Sequence, residues 1–348
     1  MHVPPGFDLA LVVRSHGWYD LAPWSWDEAR RVLARPLLLA TGRAVHAEVA
    51  QPEPGQDLVL RVLAHGRPAG AESREAADQL RACLSLDHDL GEFQALAAAL
   101  EAERAAGRRR HLPDLRWALA RGAGRLLRSP TVWEDAVKTL CTTNCSWGLT
   151  RAMVTNLCER LGEEAPGGAR CFPTPAAMAA KPERFYREKL RAGYRAPYLR
   201  TLARDVAAGR LDLEGMRGSG EPTDALAERI GDLDGFGPYA TEHLLKLLGR
   251  FDHLALDSWI RGKLTELRRK RKVPGDRALR SWYAPYGTWA GLAMWLEVTA
   301  DWHGEAPTWP PAAPGAATPA EANPGAATPA DANPEAAKLA EARKDRKT

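Results

Sequence analysis

Two glycines and one aspartate carry the densest chemical signal in the chain. Gly235 and Gly237 flank Phe236 in Leu233-Asp234-Gly235-Phe236-Gly237-Pro238-Tyr239-Ala240, and Asp257 follows Gly237 by twenty residues. Glycine tolerates the positive φ angles of a tight turn and, lacking a Cβ, lets a phosphate approach the backbone. Pro238 suits a first helical position. The unpaired N–H groups and positive dipole end of that helix would face the same anion. The spacing predicts a helix ending near Leu233, a turn, and a second helix opening near Pro238. Asp257 closes the apolar run Leu254-Ala255-Leu256 and precedes Ser258-Trp259-Ile260. Its own neighbours read it as a helix N-cap. A Gly-x-Gly alone fits any αα-hairpin.

The elements that must hold these residues fall into three regions. Residues 1–90 contain short apolar runs with strand character: Leu9-Ala10-Leu11-Val12-Val13, Pro36-Leu37-Leu38-Leu39, Ala44-Val45-His46-Ala47-Glu48-Val49 and Leu58-Val59-Leu60-Arg61-Val62-Leu63. Turn residues separate the runs. Ser25-Trp26-Asp27-Glu28 has the capping-box pattern and predicts a helix start; a second helix is expected over 73–83. Residues 91–303 change to helical periodicity, with Ser129-Pro130 expected to open a helix carrying Val132, Trp133, Ala136, Val137, Leu140 and Cys141. Residues 304–348 contain a ten-residue Pro-Gly-Ala-Ala-Thr-Pro-Ala repeat, beginning at Pro314 and again at Pro324. Such a composition cannot offset its ordering entropy, so a disordered tail is expected. The fold class is therefore α+β: an N-terminal antiparallel-sheet domain, then an all-helical domain, then the tail.

Charge is informative by position. The net charge of +4 is small, but eight arginines lie between 104 and 128 against one acid, and nine Lys/Arg lie between 261 and 280 against two. Clusters of this kind attract a phosphate backbone, although each can also be a solvated helix face. Apolar residues at 45% and charged residues at 26% are ordinary for a globular protein. No run of about 18 apolar residues marks a membrane helix. Five cysteines and no signal-peptide pattern lead to the expectation of a cytoplasmic, nucleoid-associated protein.

The hairpin and Asp257 together resemble the helix-hairpin-helix DNA glycosylase superfamily, and four further segments agree. Gly193-Tyr194-Arg195 is similar to a segment of the 8-oxoguanine DNA glycosylases. Leu140-Cys141-Thr142-Thr143-Asn144-Cys145-Ser146 resembles the helix that ends at the orphaned base. The stretch from Tyr283 to Trp295 looks like the aromatic helix of bacterial 3-methyladenine DNA glycosylase II. Leu86-Asp87-His88-Asp89-Leu90 looks like that family's domain junction.

The resemblance implies a DNA-base glycosylase of base excision repair, acting as a monomer on duplex DNA that holds a damaged base. Asp257 would stabilise the oxocarbenium-like sugar and orient water. Gly235, Phe236 and Gly237 would hold the phosphate, with Tyr194, Arg195 and Asn144 at the wedge and orphan base. The base pocket would be walled by Tyr239 and His243 on one side and by Trp282, Tyr283, Tyr286 or Trp289 on the other. Tyr239 stands where bifunctional members carry a lysine, so a monofunctional enzyme is expected, with an alkylated purine ranked before oxidised guanine. Lys246 remains an alternative amine for a lyase. A non-catalytic duplex-binding protein is the competing reading.

No cofactor is expected beyond a monovalent cation at the hairpin. The iron–sulfur cluster of some members needs four cysteines after the aspartate, and this chain has none after Cys171. Cys141 and Cys145 read as buried helix residues, and His243 and His253 are poorly spaced for zinc.

Overall fold

The computed structural model describes residues 1–305; the repeat and the charged end of the chain lie outside them. Four strands, β1 (Ser25–Asp27), β2 (Val32–Leu38), β3 (Ala44–Ala50) and β4 (Val59–Leu63), form one antiparallel sheet in the order β1-β2-β3-β4. Its register pairs Ala34 with Ser25, Arg35 with Ala47 and Ala50 with Val59. β3 alternates as a half-buried strand should, with Val45, Ala47 and Val49 inward.

Before the sheet lies α1 (Leu9–Arg14), and after it α2 (Gly70–Cys83), α3 (Gly91–Ala105) and α4 (Arg116–Arg121). The middle of the chain forms α5 (Val132–Thr142), α6 (Trp147–Leu161), α7 (Pro175–Ala179), α8 (Glu183–Glu188) and α9 (Ala196–Ala207). The hairpin helices are α10 (Thr223–Gly231) and α11 (Pro238–Leu247), followed by α12 (Ser258–Leu267), α13 (Asp276–Tyr283) and α14 (Ala290–Val298). The α+β class is as expected. None of the described helices is long and apolar enough to cross a membrane.

Three local expectations are corrected. The run from Leu9 is a helix, because all of Leu9–Val13 is buried and Asp8 caps it through Ala10 N; a short apolar run cannot distinguish strand from buried helix by period. Ser25-Trp26-Asp27 is a strand, since Glu28, which the capping box needed, instead accepts from Trp26 Nε1 at 2.6 Å and pairs with Arg14 at 2.5 Å. α5 is capped by Thr131 Oγ1, not Ser129, whose N–H goes to Asp135 Oδ1 at 2.9 Å.

The hydrophobic core does not divide at residue 90. One buried cluster joins the sheet, through Leu33, Leu37, Val45 and Val49, to the helices between Val132 and Leu248. A second joins Leu90, Phe93 and Leu126 to Phe251, Leu264, Tyr283 and Leu292. The segment 248–257 passes from the first to the second, and Asp257 lies at its end.

α5 is buried from Val132 to Cys141 although it carries Glu134, Asp135 and Lys138. Arg35, reaching from β2, grips Glu134 with two hydrogen bonds of 3.2 and 2.7 Å and lies 4.5 Å from the Trp24 ring centre. Lys138 Nζ lies 2.7 Å from Glu134 Oε1. Burial alone would raise the Glu134 carboxyl, but the two cations outweigh it and hold it at about 2. Because the folded value is depressed, this contribution is full above the ordinary Glu range and is lost as pH falls towards 2. Glu134→Gln should cost about 3–5 kcal/mol in urea unfolding at neutral pH, since it leaves Arg35 and Lys138 buried without their anion. The loss should shrink on acidification.

Candidate active site

The turn between α10 and α11 is closed by Phe236 N donating to Leu233 O at 3.0 Å. Only Gly235 requires glycine for its backbone, with φ +88°. A Cβ there would stand 2.6 Å from Tyr198 Cδ2 and 3.0 Å from Leu140 Cδ2, so the turn is seated on α5 and α9. Gly237, at φ −78°, does not need glycine for its backbone, and its Cβ direction is open. Phe236 is buried and anchors the turn. The two glycines thus do different things: Gly235 lets the turn pack inward, and Gly237 leaves its outer side uncovered.

α11 presents Tyr239, His243 and Lys246 at i, i+4 and i+7, along one face. Tyr239 and His243 rings lie 5.5 Å apart, and Tyr239 Oη donates to Thr142 Oγ1 at 3.4 Å. Asp257 stands at the N-cap of α12, with Oδ1 accepting from Ile260 N at 2.7 Å. The cap is real, and the carboxylate also acts electrostatically on Tyr239 and Lys246. Burial raises Asp257 above the usual carboxylate value, opposed by the bonds from α12 and by the charge of Lys246.

The four aromatic residues expected as a wall opposite Tyr239 pack elsewhere. Trp282 packs on the Arg268 guanidinium, Tyr283 donates to Glu297, Tyr286 is buried, and Trp289 stands between Phe251 and Phe93, each 5.7 Å away. All four belong to the second core, where large rings fill space around α3, α12 and α14. The rings that face His243 are His16 at 4.8 Å and Trp18 at 5.2 Å, and Lys246 Nζ lies 3.3 Å from the centre of Trp295.

Three bonds hold the His16 loop in place. Trp18 Nε1 donates to Asp135 Oδ1 at 2.8 Å, Trp295 Nε1 donates to Ser15 O at 2.8 Å, and Leu127 N donates to Ser15 Oγ at 2.9 Å. His16 and Trp18 leave no signal in the sequence, since they come from a loop residue and the short 3₁₀ turn Gly17–Asp20 that follows it. Lys246 did leave one: it is the single charge inside Leu244-Leu245-Lys246-Leu247-Leu248.

At the end of α5, Asn144, Tyr194 and Arg195 meet as the sequence suggests, but unequally. Tyr194 is 47% exposed, and its hydroxyl contacts Asn144 Nδ2 and Thr143 Oγ1, each at 3.2 Å. Asn144 takes a positive φ of 43°. Arg195 is only 3% exposed, and its guanidinium donates to the Thr143 hydroxyl and carbonyl. It braces the α5 terminus and does not face outward. Cys141 is buried in α5, whereas Cys145 lies past the helix end with Sγ donating to Cys141 O at 3.0 Å.

The basic clusters also separate. In the first, Arg104 pairs with Glu101 and Asp114, Arg109 with Glu103, Arg116 with Asp114, Arg121 with Glu305 and Arg128 with Asp87. Arg125 donates to the carbonyls of Ser85 and His88. This cluster mostly ties the chain together. In the second, Arg261 and Lys263 pair with Asp276 and Asp301, while Arg269, Lys270, Arg271 and Lys272 are exposed just beyond α12. Among the described residues no group of three His, Cys, Asp or Glu is placed to hold a metal.

No protein-family model matches the chain, and no curated protein does. Solved structures do. A 3-methyladenine DNA glycosylase from Archaeoglobus fulgidus superposes with a TM-score of 0.66 at 18% identity, over 85% of this chain and 96% of that one. MBOgg1, in complex with a low-affinity DNA ligand, gives 0.62 at 19%, over 86% and 94%. The Clostridium acetobutylicum 8-oxoguanine glycosylase/lyase without DNA gives 0.60 at 17%, over 84% and 93%. Over most of its length the chain thus has the fold of these DNA glycosylases.

Proposed function

We propose that the protein is a monofunctional DNA-base glycosylase of base excision repair. The observation that carries this reading is the α11 face, on which the Asp257 carboxylate acts on both Tyr239 and Lys246, with His243 between them. Gly237 and the first turn of α11 would receive a backbone phosphate, and the Arg269–Lys272 run would add sequence-independent attraction. Tyr194, exposed beside Asn144, would fill the space that a flipped nucleotide leaves, while Arg195 fixes the helix end beneath it. The flipped base, whose extrusion costs a few kcal/mol, would enter beside Tyr239 and His243. Asp257 would stabilise positive charge developing on the sugar and orient the attacking water.

The fold likeness supports DNA as the partner, since MBOgg1 is in complex with a DNA ligand. With a tyrosine at 239 no amine stands at that turn of the hairpin helix, so the product would be an abasic site. The sequence ranks an alkylated purine first as substrate. The competing binding-protein reading keeps the hairpin and gives Asp257 only its cap.

Asp257→Asn separates them, because asparagine retains the Oδ1 acceptor for Ile260 N and removes only the charge. Single-turnover excision should be followed on duplexes carrying a 3-methyladenine analogue, hypoxanthine, 8-oxoguanine or uracil. Strand cleavage should require alkali and fall roughly 10²- to 10⁴-fold in the variant, with duplex binding kept. Salt-sensitive binding without excision on any duplex would support the binding protein. In the wild type the acidic limb of the rate profile should lie above the ordinary aspartate value, since Asp257 must be ionised to act.

A glycine pair tests the hairpin. Gly235→Ala should lower thermal stability, by about 1–3 kcal/mol, through its positive φ and its contact with Tyr198. Gly237→Ala should leave stability within about 0.5 kcal/mol yet weaken duplex binding, measured by fluorescence anisotropy. Equal binding by Gly237→Ala and wild type would remove the phosphate from this turn.

A further inference from the structure

Lys246 is buried, and its Nζ has no hydrogen-bond partner among the described residues. It does not stand alone in this. His16 Nδ1 and His243 Nε2 are likewise buried without partners, and their rings are 4.8 Å apart. Three basic side chains from a loop and α11 therefore crowd one place, closed by Trp18, Trp295 and Tyr239. Leaving buried donors unpaired is costly, typically by about 1–3 kcal/mol for each group. Unpartnered groups gathered in one place call for an explanation, and a ligand that completes the bonding is one.

The charge of this place is concentrated on the lysine. Burial, aided by the neighbouring Lys246 charge, pushes both histidines well below their ordinary value, so at neutral pH both are uncharged. Lys246 itself is pushed down by burial, against the attraction of Asp257 and Glu242, to about 7. Its protonated form is held by the indole face of Trp295, 3.3 Å from the ring centre. That face is therefore already occupied by a cation.

From this we infer that Lys246 is a specificity-determining residue of the proposed base site: it turns away bases that carry a positive charge and hydrogen-bonds neutral bases that present an oxygen acceptor. The inference rests on reading the α11 face as the base pocket. A cationic alkylated base, of the class the sequence ranks first, would meet Lys246 as a like charge and find the richest ring face taken, so the inference reverses that ranking in favour of neutral lesions. A neutral base with a carbonyl oxygen would give Nζ the partner it lacks. His16 and His243, each with one N–H when neutral, could donate or accept at the same edge, and Trp18 and Tyr239 would cover the base without regard to its charge.

The test compares excision of N7-methylguanine, a cationic base, with excision of hypoxanthine, a neutral one, at pH 6 under single-turnover conditions. Wild type is set beside Lys246→Met and Lys246→Gln. Neither change should prevent folding, since each replaces an unpaired buried amine by an uncharged side chain of similar length. In Lys246→Met the ratio of hypoxanthine to N7-methylguanine release should fall about ten-fold or more, because both the repulsion and the donor are gone. Lys246→Gln, which keeps a donor, should admit the cationic base while retaining most hypoxanthine release. Unchanged ratios in both variants, with activity present, would overturn the role of Lys246 and leave the glycosylase reading standing. Release of neither base by wild type, nor of any other lesion, would overturn both.

Discussion

Helix α5 must lie inside the protein and still carry two carboxylates and an ammonium. That constraint organises the molecule. Charges removed from water need partners close by, and the partners come from distant segments: Arg35 from the sheet for Glu134, Trp18 and Arg217 for Asp135. The sheet and the loop that follows α1 are thereby fastened to one helix. The far end of that helix presents Thr142, Thr143 and Asn144, and these meet Tyr239, Arg195 and Tyr194. A single buried rod thus sets the distance between the α11 face and the exposed tyrosine.

The α11 face is the counterpart of that economy of bonding. Where α5 satisfies its charges, α11 leaves polar nitrogens without partners, although Leu244, Leu245 and Leu247 beside them pack conventionally. Satisfied charges and unpartnered nitrogens are therefore placed on different helices. The segment 248–257 connects them to the second core and delivers Asp257 to the start of α12, whose first N–H groups its carboxylate caps.

Much of this was legible in the sequence, and the exceptions have physical causes. The α10–α11 turn, the helix openings at Pro238 and Ser258, and the α+β class follow from local rules of glycine, proline and capping. Leu9–Val13 misled because a fully buried helix and a strand share the same apolar run. Ser25–Glu28 misled because a tertiary partner took the glutamate. The four expected wall aromatics lie in the second core for a different reason. Tyr283, Tyr286 and Trp289 have the residue types that suit a base pocket, but those types suit a core equally well, and only packing distinguishes them. His16 and Trp18 were invisible because nothing local links a loop near the start of the chain to α11.

The bond from Trp295 to the Ser15 carbonyl spans 280 residues, and its consequence concerns the order of events in synthesis. The sheet and the helices as far as Leu248 share one core and can condense while the ribosome is still at work. The surroundings of Lys246 cannot be completed at that stage, because the ring under it belongs to α14. Until that helix emerges and docks, the amine faces water and should hold its proton like any free lysine. The burial of this amine thus waits on a closing step of high contact order.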